Sequence, residues 1–193
     1  MNFPPPFDKL PDNACHYFNL NKGEFAFLQD DPARGPFFVR SGGVELNRHT
    51  QAGNRVILHR ASANETFAEA SLFSEHYHCD GIATNDSILV RFDKSAILAR
   101  LQEDAVFANQ LLNRFASQVQ GYRRHLELLA IRGANERVLA ALSDGLQTST
   151  VMAFSAAIGL THETTYRALS QLVKFGEIKR ISRGRYQVLN ARR

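Results

Sequence analysis

Apolar residues between positions 20 and 92 fall into short runs that are separated by turn-forming residues. Each run has the length of a strand, whereas the Gly, Asp and Pro residues between them interrupt helices and favour turns. Many short strands with regular turns predict an antiparallel sandwich or a jelly-roll barrel. The runs occupy residues 25–28, 37–39, 44–46, 56–58 and 88–90.

The period of the pattern changes at Asp93, where helical spacing begins. Asp93 is predicted to cap a short helix that ends near Leu101, and a longer helix is predicted from about Glu103 to Ile131. A heptad stripe in the longer helix favours a two-stranded coiled coil between two copies of the chain. The alternative is a helix packed only on its own barrel, which tolerates a less regular stripe. The stripe consists of Leu112, Phe115, Val119, Tyr122, Leu126 and Leu129.

Gly133 follows the long helix and is predicted to act as a hinge or as its C-cap. A further short helix is predicted from about Asn135 to Leu142. A domain boundary is therefore expected near residue 132.

The charge changes sign at the same place. Residues 132–193 contain 10 Lys and Arg against 4 Asp and Glu, a net charge of +6, whereas residues 1–131 contain 13 against 15, a net charge of −2. A compact basic segment suits nucleic acid, because each neutralised phosphate releases counterions. The alternative at this point is an ordinary solvated basic face.

Composition narrows the class of protein. The chain of 193 residues is 44% apolar, which is enough for two small domains with a core each. It contains no run approaching the roughly 18 apolar residues of a membrane span, and its start lacks the features of a secretory signal. The two cysteines, Cys15 and Cys79, are too few for a disulfide framework. We therefore expect a cytoplasmic protein with no membrane partner.

Residues 152–175 predict a helix-turn-helix. A helix of small residues spans 152–158, Gly159 makes the turn, Leu160 is expected to be buried in it, and Thr161 is an N-cap for a second helix. The buried face of this helix is predicted to carry Thr165, Leu169, Leu172 and Val173. The opposite face is predicted to carry His162, Glu163, Tyr166, Arg167, Ser170 and Lys174.

A basic hairpin is predicted after Gly176. Residues 178–188 read as two strands around Arg183 and Gly184. Cationic side chains on such a wing suit phosphates, which position a protein on DNA without reading its sequence. These side chains are Lys179, Arg180, Arg183 and Arg185.

Several of these segments together resemble the CRP/FNR superfamily of regulators. Residues 159–167 resemble its recognition-helix motif, residues 20–24 and 41–46 resemble the opening of its cyclic-nucleotide-binding-type β-roll, and residues 67–73 resemble its phosphate cassette. The resemblance implies an α+β fold with an N-terminal antiparallel, jelly-roll-like β-roll, a long dimerisation helix and a C-terminal winged helix-turn-helix. The corresponding domains are 1–102, 103–132 and 133–193.

The resemblance also implies a function. It indicates a homodimeric transcription regulator that binds a near-palindromic double-stranded DNA operator and contacts RNA polymerase. Glu163 and Arg167 match the base-reading residues of the family, and His162 stands where the family varies. The expected DNA-binding residues are Thr161, His162, Glu163, Tyr166, Arg167, Lys179, Arg180, Arg183 and Arg185.

The effector pocket departs from the family pattern. Glu69 matches the family's Glu, but the preceding Gly is Ala68, and no arginine lies between Arg60 and Arg91 to pair with a cyclic phosphate. Cyclic AMP is therefore disfavoured as the effector. By resemblance the pocket would contain Glu69, Ala70, Ser71, Cys79 and Asp80.

The loop at this position offers other chemistry. His76, His78 and Cys79 are ligand types that suit a metal or haem iron, and a thiol also suits redox sensing. An organic ligand in the barrel, or no effector, are the alternatives. A cupin-like metal enzyme is a weaker interpretation, because Ile82 and Ala83 stand where a cupin needs a further Glu. That interpretation, like a signalling module without DNA binding, leaves residues 132–193 unexplained, so we expect no enzyme.

Overall fold

The structure is a computed structural model that describes residues 3–53, 55–146 and 150–189. The chain divides into two compact units, Met1–Arg114 and Phe115–Arg193.

The first unit contains two antiparallel four-stranded sheets. One has the strand order β1-β8-β3-β6 and the other the order β2-β7-β4-β5. This confirms the expected mixture of helices with antiparallel sheets. The strands are β1 (Cys15–Leu20), β2 (Phe25–Phe27), β3 (Phe37–Ser41), β4 (Gly43–His49), β5 (Arg55–Ser62), β6 (Thr66–Phe67), β7 (Asp80–Ala83) and β8 (Ser87–Phe92).

Aromatic rings fill the core of these sheets. Phe27 stacks on Tyr77 with 3.9 Å between ring centroids, and Phe37 stacks on Phe67 at 5.2 Å. The β7 strand was not predicted from the sequence, and its Gly81 shows why: a Cβ there would lie 2.9 Å from the Phe27 ring. Gly81 therefore leaves room for the aromatic stack, although glycine lowers the strand propensity of the segment.

Two aspartates begin the helices that follow the sheets. The α1 helix (Lys94–Glu103) starts at Asp93, whose carboxylate accepts a hydrogen bond from the Ala96 amide at 3.0 Å, as predicted. The α2 helix (Ala105–Ala130) starts one residue after Asp104, whose carboxylate accepts from the Val106 and Phe107 amides. The predicted long helix is thus confirmed to within two residues at each end.

The second unit contains the end of α2, three short helices and a hairpin around one apolar core. Gly133 has a φ of −73° and is the N-cap of α3, so of the two predicted roles, hinge or C-cap, the C-cap of α2 is wrong. The chain leaves α2 in an extended conformation and re-enters a helix at once. The elements are α3 (Ala134–Ser143), α4 (Val151–Ala157), α5 (His162–Lys174), β9 (Ile178–Ser182) and β10 (Arg185–Val188).

A close approach of two backbone segments in the first unit depends on Gly35. The Lys94 amide donates to the Arg34 carbonyl at 3.0 Å, and the Phe92 amide donates to the Pro36 carbonyl at 2.9 Å. Between these two bonds, Gly35 has a φ of +132°, and a Cβ on it would lie 2.0 Å from the Phe92 carbonyl oxygen. Glycine is therefore required both by conformation and by space.

Gly35→Ala is expected to lower the free energy of unfolding by more than about 2 kcal/mol, because it adds a backbone clash to a strained φ. Gly23→Ala is the matched control: Gly23 also has a positive φ, +88°, but no described atom lies within 4 Å of its added Cβ. Urea unfolding followed by circular dichroism measures both. Equal losses in the two variants would show that conformation alone, and not the close approach, requires Gly35.

Candidate nucleic-acid interface and effector region

The start of α5 is held by three threonines. The Thr161 hydroxyl accepts a hydrogen bond from the Thr164 amide at 3.2 Å, which confirms Thr161 as the N-cap. The Thr165 hydroxyl donates to the Thr161 carbonyl at 3.0 Å, and Thr165 is fully buried. Gly159, with a φ of +64°, makes the turn that precedes this cap, while Leu160 is half-buried. These hydrogen bonds and the burial of Thr165 fix the first turn of α5 within the second unit.

One face of α5 packs in the core. Thr165, Leu169 and Leu172 are buried as predicted, together with Ala168. Val173, predicted to be buried, is 40% exposed. The buried positions follow helical spacing, and Val173 lies one residue beyond that stripe, which rotates its side chain about 100° away from Leu172.

The opposite face of α5 is exposed as predicted. The rings of His162 and Tyr166 lie side by side with 6.3 Å between centroids. Glu163 and Arg167 are four residues apart, so their side chains project from the same side of the helix. The exposed residues are Thr161, His162, Glu163, Tyr166, Arg167, Ser170 and Lys174.

The hairpin β9–β10 carries its cations outward. Ile178 and Tyr186 are buried and anchor the hairpin in the core of the second unit. Gly184, with a φ of +76°, makes the tip. Within the described residues the four hairpin cations form no ion pair, so their charge faces solvent. These exposed cations are Lys179, Arg180, Arg183 and Arg185.

The carboxylate of Glu69, in the candidate effector pocket, forms an ion pair with an arginine of the same unit. Glu69 begins a short 3-10 helix (Glu69–Phe73), and only 7% of its side chain is exposed. The Arg114 guanidinium, on α2, lies 3.2 Å from the Glu69 carboxylate, and the Thr66 hydroxyl bonds to both groups. The Arg114 side chain also lies over the Phe7 ring, with its central carbon 5.8 Å from the ring centroid. Sequence reasoning missed Arg114, because 45 residues separate it from Glu69.

The other pocket candidates have separate roles. Ala70 is exposed, whereas Ser71 is buried and its hydroxyl has no hydrogen-bond partner among the described residues. The Asp80 carboxylate accepts a hydrogen bond from the Gln29 amide at 2.8 Å. Burial, with a smaller effect from the Asp80 charge, raises the pKa of the Cys79 thiol. The reactive thiolate is therefore disfavoured at neutral pH.

The histidines of the same loop do not assemble a metal site with other ligands. His76 and His78 are both exposed on either side of the buried Tyr77, and the His78 ring nitrogen Nε2 lies 2.8 Å from the Ser74 hydroxyl. No three His, Cys, Asp or Glu side chains converge to ligand distance anywhere in 3–53, 55–146 or 150–189. The donor set of His76, His78 and Cys79 thus does not fit a bound metal in this arrangement.

Comparisons with known proteins relate both the sequence and the fold of this chain to one superfamily. The family model of the cyclic nucleotide-binding domain matches residues 17–104. The sensor domain of the transcriptional regulator DNR from Pseudomonas aeruginosa is 31% identical, with a TM-score of 0.52 over 63% of this chain and 79% of that domain. The chain belongs to the CRP/FNR superfamily.

Two further proteins match most of the chain. The cyclic AMP receptor protein of Thermus thermophilus is 27% identical over 179 residues, which cover 87% of this chain and 83% of that protein. FixK2 from Bradyrhizobium japonicum, at 24% identity, shares the fold with a TM-score of 0.66 over 91% of this chain and 93% of its own. The CRP/FNR relatives are transcription regulators and not enzymes. In the described part of the chain, no helix is both long and apolar enough to cross a membrane.

Arg137 of this CRP/FNR chain is a second residue that sequence reasoning missed. Its guanidinium donates to the carbonyls of Leu129 (3.1 Å) and Ile131 (2.8 Å), where α2 ends. It also donates to the carbonyls of Ile158 (3.2 Å) and Gly159 (3.4 Å), where α4 ends. Carbonyls at helix ends lack partners within the helix, so a planar group with several donors can join two such ends. Arg137 therefore ties the end of α2 to the turn before α5.

Arg137→Ala is expected to lower the free energy of unfolding of the second unit by about 1–3 kcal/mol, because it removes the donor from the partly buried hydrogen bonds to the Ile131 and Ile158 carbonyls. Amide hydrogen exchange at residues 158–161 should become faster, since the turn loses its tie to α2. Arg132→Ala, which removes a nearby exposed arginine, is the control. The role assigned to Arg137 is wrong if the two variants match in urea unfolding and in hydrogen exchange.

Proposed function

We propose that this chain is a sequence-specific, DNA-binding transcription regulator in which α4, α5 and the β9–β10 hairpin form a winged helix-turn-helix. The observation that carries the proposal is the division of α5 into a buried apolar face and an exposed polar face, beside a hairpin with four exposed cations. The proposed domains are 1–102 for sensing, 103–132 for dimerisation and 133–193 for DNA binding.

Glu163 and Arg167 are assigned to base reading. A carboxylate accepts a hydrogen bond from the exocyclic amine of cytosine, and a guanidinium pairs in a bidentate way with guanine. Both side chains are exposed on one side of α5, as entry into a major groove requires. Thr161, His162 and Tyr166 lie on the same exposed surface. The hairpin cations are assigned to phosphates, because exposed cations on an element beside the recognition helix suit the DNA backbone, which positions a protein without being read as sequence.

The stripe on α2 is assigned to a homodimer. Leu112, Val119, Tyr122 and Leu126 are between 47% and 65% exposed, Leu129 is 39% exposed, and Phe115 is half-buried. Large apolar side chains in a continuous exposed stripe are stabilised by a partner, and heptad spacing suits a second copy of the same helix. A two-fold symmetric dimer reads a near-palindromic operator with half-sites about one helical turn apart. A DNA-binding regulator of this kind acts in the cytoplasm and there contacts RNA polymerase.

DNA binding is further proposed to respond to an effector in or near the sheet unit other than cyclic AMP. The buried Glu69 carboxylate, which by resemblance belongs to the pocket, is already engaged by Arg114 and Thr66. An effector that bound there would have to replace these contacts. The absence of an arginine between Arg60 and Arg91 also leaves a cyclic phosphate without its partner.

Arg167→Ala is expected to weaken binding to the preferred operator by about 1–3 kcal/mol and to relax the preference at one base pair of each half-site. The operator is first selected from a random pool of duplexes, in which a TGA-like half-site core is expected. Affinities for this operator, for its single-base variants and for an unrelated duplex are then measured by fluorescence anisotropy.

Lys179→Ala is the matched control, because a phosphate contact should lower the affinity for every duplex alike and reduce the salt dependence by about one ion. An equal loss of affinity on all duplexes for Arg167→Ala would make Arg167 a phosphate contact as well. Failure of the wild-type protein to enrich any sequence would refute specific DNA binding.

Leu126→Glu is expected to convert the dimer to a monomer at micromolar concentration, because two copies of the carboxylate would face each other in a desolvated stripe. Sedimentation velocity measures the change, and operator affinity should fall with it. Val106→Glu is the control: Val106 is 58% exposed on the same helix but lies off the stripe. A Leu126→Glu protein that remains dimeric would place the interface elsewhere.

A further inference from the structure

Three cationic side chains of the first unit line one open groove of about 410 Å³. They are Arg34, Arg91 and Lys94, and the groove also contains Asp93, Ser95 and Leu98. Its lining residues do not include Glu69, Arg114 or the histidine loop. The volume is within the range of small-molecule sites.

The cations meet because of the close backbone approach at Gly35. Arg34 comes from the turn before β3, whereas Arg91 and Lys94 come from the end of β8 and the start of α1. The hydrogen bond from the Lys94 amide to the Arg34 carbonyl, 3.0 Å long, places these segments side by side. The fold therefore builds this cluster from positions distant in sequence, against the mutual repulsion of like charges.

Each cation is positioned by neighbouring groups. The Arg91 guanidinium lies over the Phe18 ring, with its central carbon 5.3 Å from the ring centroid, and its buried Nε has no hydrogen-bond partner among the described residues. The Lys94 ammonium donates to the Ser74 carbonyl at 2.5 Å. The Arg34 amide donates to the hydroxyl of the buried Tyr77 at 3.2 Å, which fixes the backbone from which the Arg34 side chain extends.

The groove carries more positive than negative charge. Its single lining carboxylate, Asp93, accepts hydrogen bonds from the Ser95 hydroxyl and the Ala96 amide, and these bonds hold the pKa of Asp93 below its ordinary value. Asp93 therefore remains ionised and offsets one of the three positive charges. In the described part of the chain, Arg34, Arg91 and Lys94 form no ion pair. The α1 amides of Lys94 and Ala96 already have acceptors, so side chains and not the helix terminus supply the free donors.

We propose that this groove binds a small multivalent anion that carries phosphate groups or several carboxylates. Two guanidinium groups and one ammonium group supply the charge-assisted hydrogen bonds that such groups accept. This site requires neither DNA nor the Glu69 pocket, so it goes beyond the proposed function and is tested separately from it.

Isothermal titration of the full chain with inorganic phosphate, pyrophosphate and citrate tests the site. Saturable binding of at least one of these anions is expected, and the comparison of pyrophosphate with citrate distinguishes a phosphate ligand from a carboxylate ligand. Arg91→Gln and Arg34→Gln should each weaken binding about tenfold, because each removes a charged donor. Asp93→Asn should strengthen binding several-fold, because it removes the one negative charge and keeps a side chain that can cap α1.

Arg40→Gln, which removes an exposed arginine of β3 outside the groove, is the control and should leave the affinity unchanged. Circular dichroism establishes that each variant is folded. The proposal is overturned if none of the three anions binds saturably, an outcome that would favour an acidic protein surface as the occupant. It is equally overturned if Arg40→Gln weakens binding as much as Arg91→Gln, or if Asp93→Asn leaves the affinity unchanged.

Discussion

The hydrogen bond between the Thr165 hydroxyl and the Thr161 carbonyl holds the start of α5, and the exposed face of that helix depends on it. A side chain that reads a base must be placed to within a fraction of an ångström, and a helix places side chains only as well as its own backbone is fixed. The fully buried Thr165, the Thr161 cap and the turn at Gly159 fix that backbone at its first turn. Glu163 projects from this first turn and Arg167 from the next one.

The first unit contains charged side chains in two different settings. Glu69 is buried and would be costly without a partner, and Arg114 with Thr66 supplies that partner from inside the protein. Arg34, Arg91 and Lys94 instead form no ion pair among the described residues and line an open groove that a ligand can reach. The Glu69 carboxylate is therefore already bound by groups of the protein, whereas the groove lined by Arg34, Arg91 and Lys94 is open to a ligand.

Elements with a strong period could be predicted from the sequence. The α2 helix, the N-caps at Asp93 and Thr161 and the exposed face of α5 follow from the spacing of apolar residues and from the preferences of short polar side chains. The strands β1, β6 and β7 were not predicted from the sequence. In β7, tertiary packing of the Phe27 ring on Gly81 overrides a weak local pattern.

The candidate site was less accessible to sequence reasoning than the fold. The roles of Arg114 and Arg137 cannot be predicted from neighbouring residues, because each arginine bonds to groups that are distant in the sequence and are brought close by the fold. Gly133 shows the same limit, because a glycine after a helix suits a C-cap, and only the conformation shows that it begins the next helix. The histidine loop shows that suitable ligand types in suitable spacing do not by themselves bring ligands together.

Leu129 belongs to two surfaces at once. It lies in the apolar stripe of α2, and its Cδ2 is 2.8 Å from the position that a Cβ on Gly159 would occupy, so the same side chain covers the turn before α5. In the proposed dimer, the packing of the stripe and the packing of the turn are therefore linked through one leucine. Linkage is reciprocal: the factor by which dimer formation strengthens operator binding is the factor by which the operator strengthens the dimer. The occupancy of an operator would then rise more steeply than the protein concentration, and the gene it controls would respond to a threshold amount of the regulator.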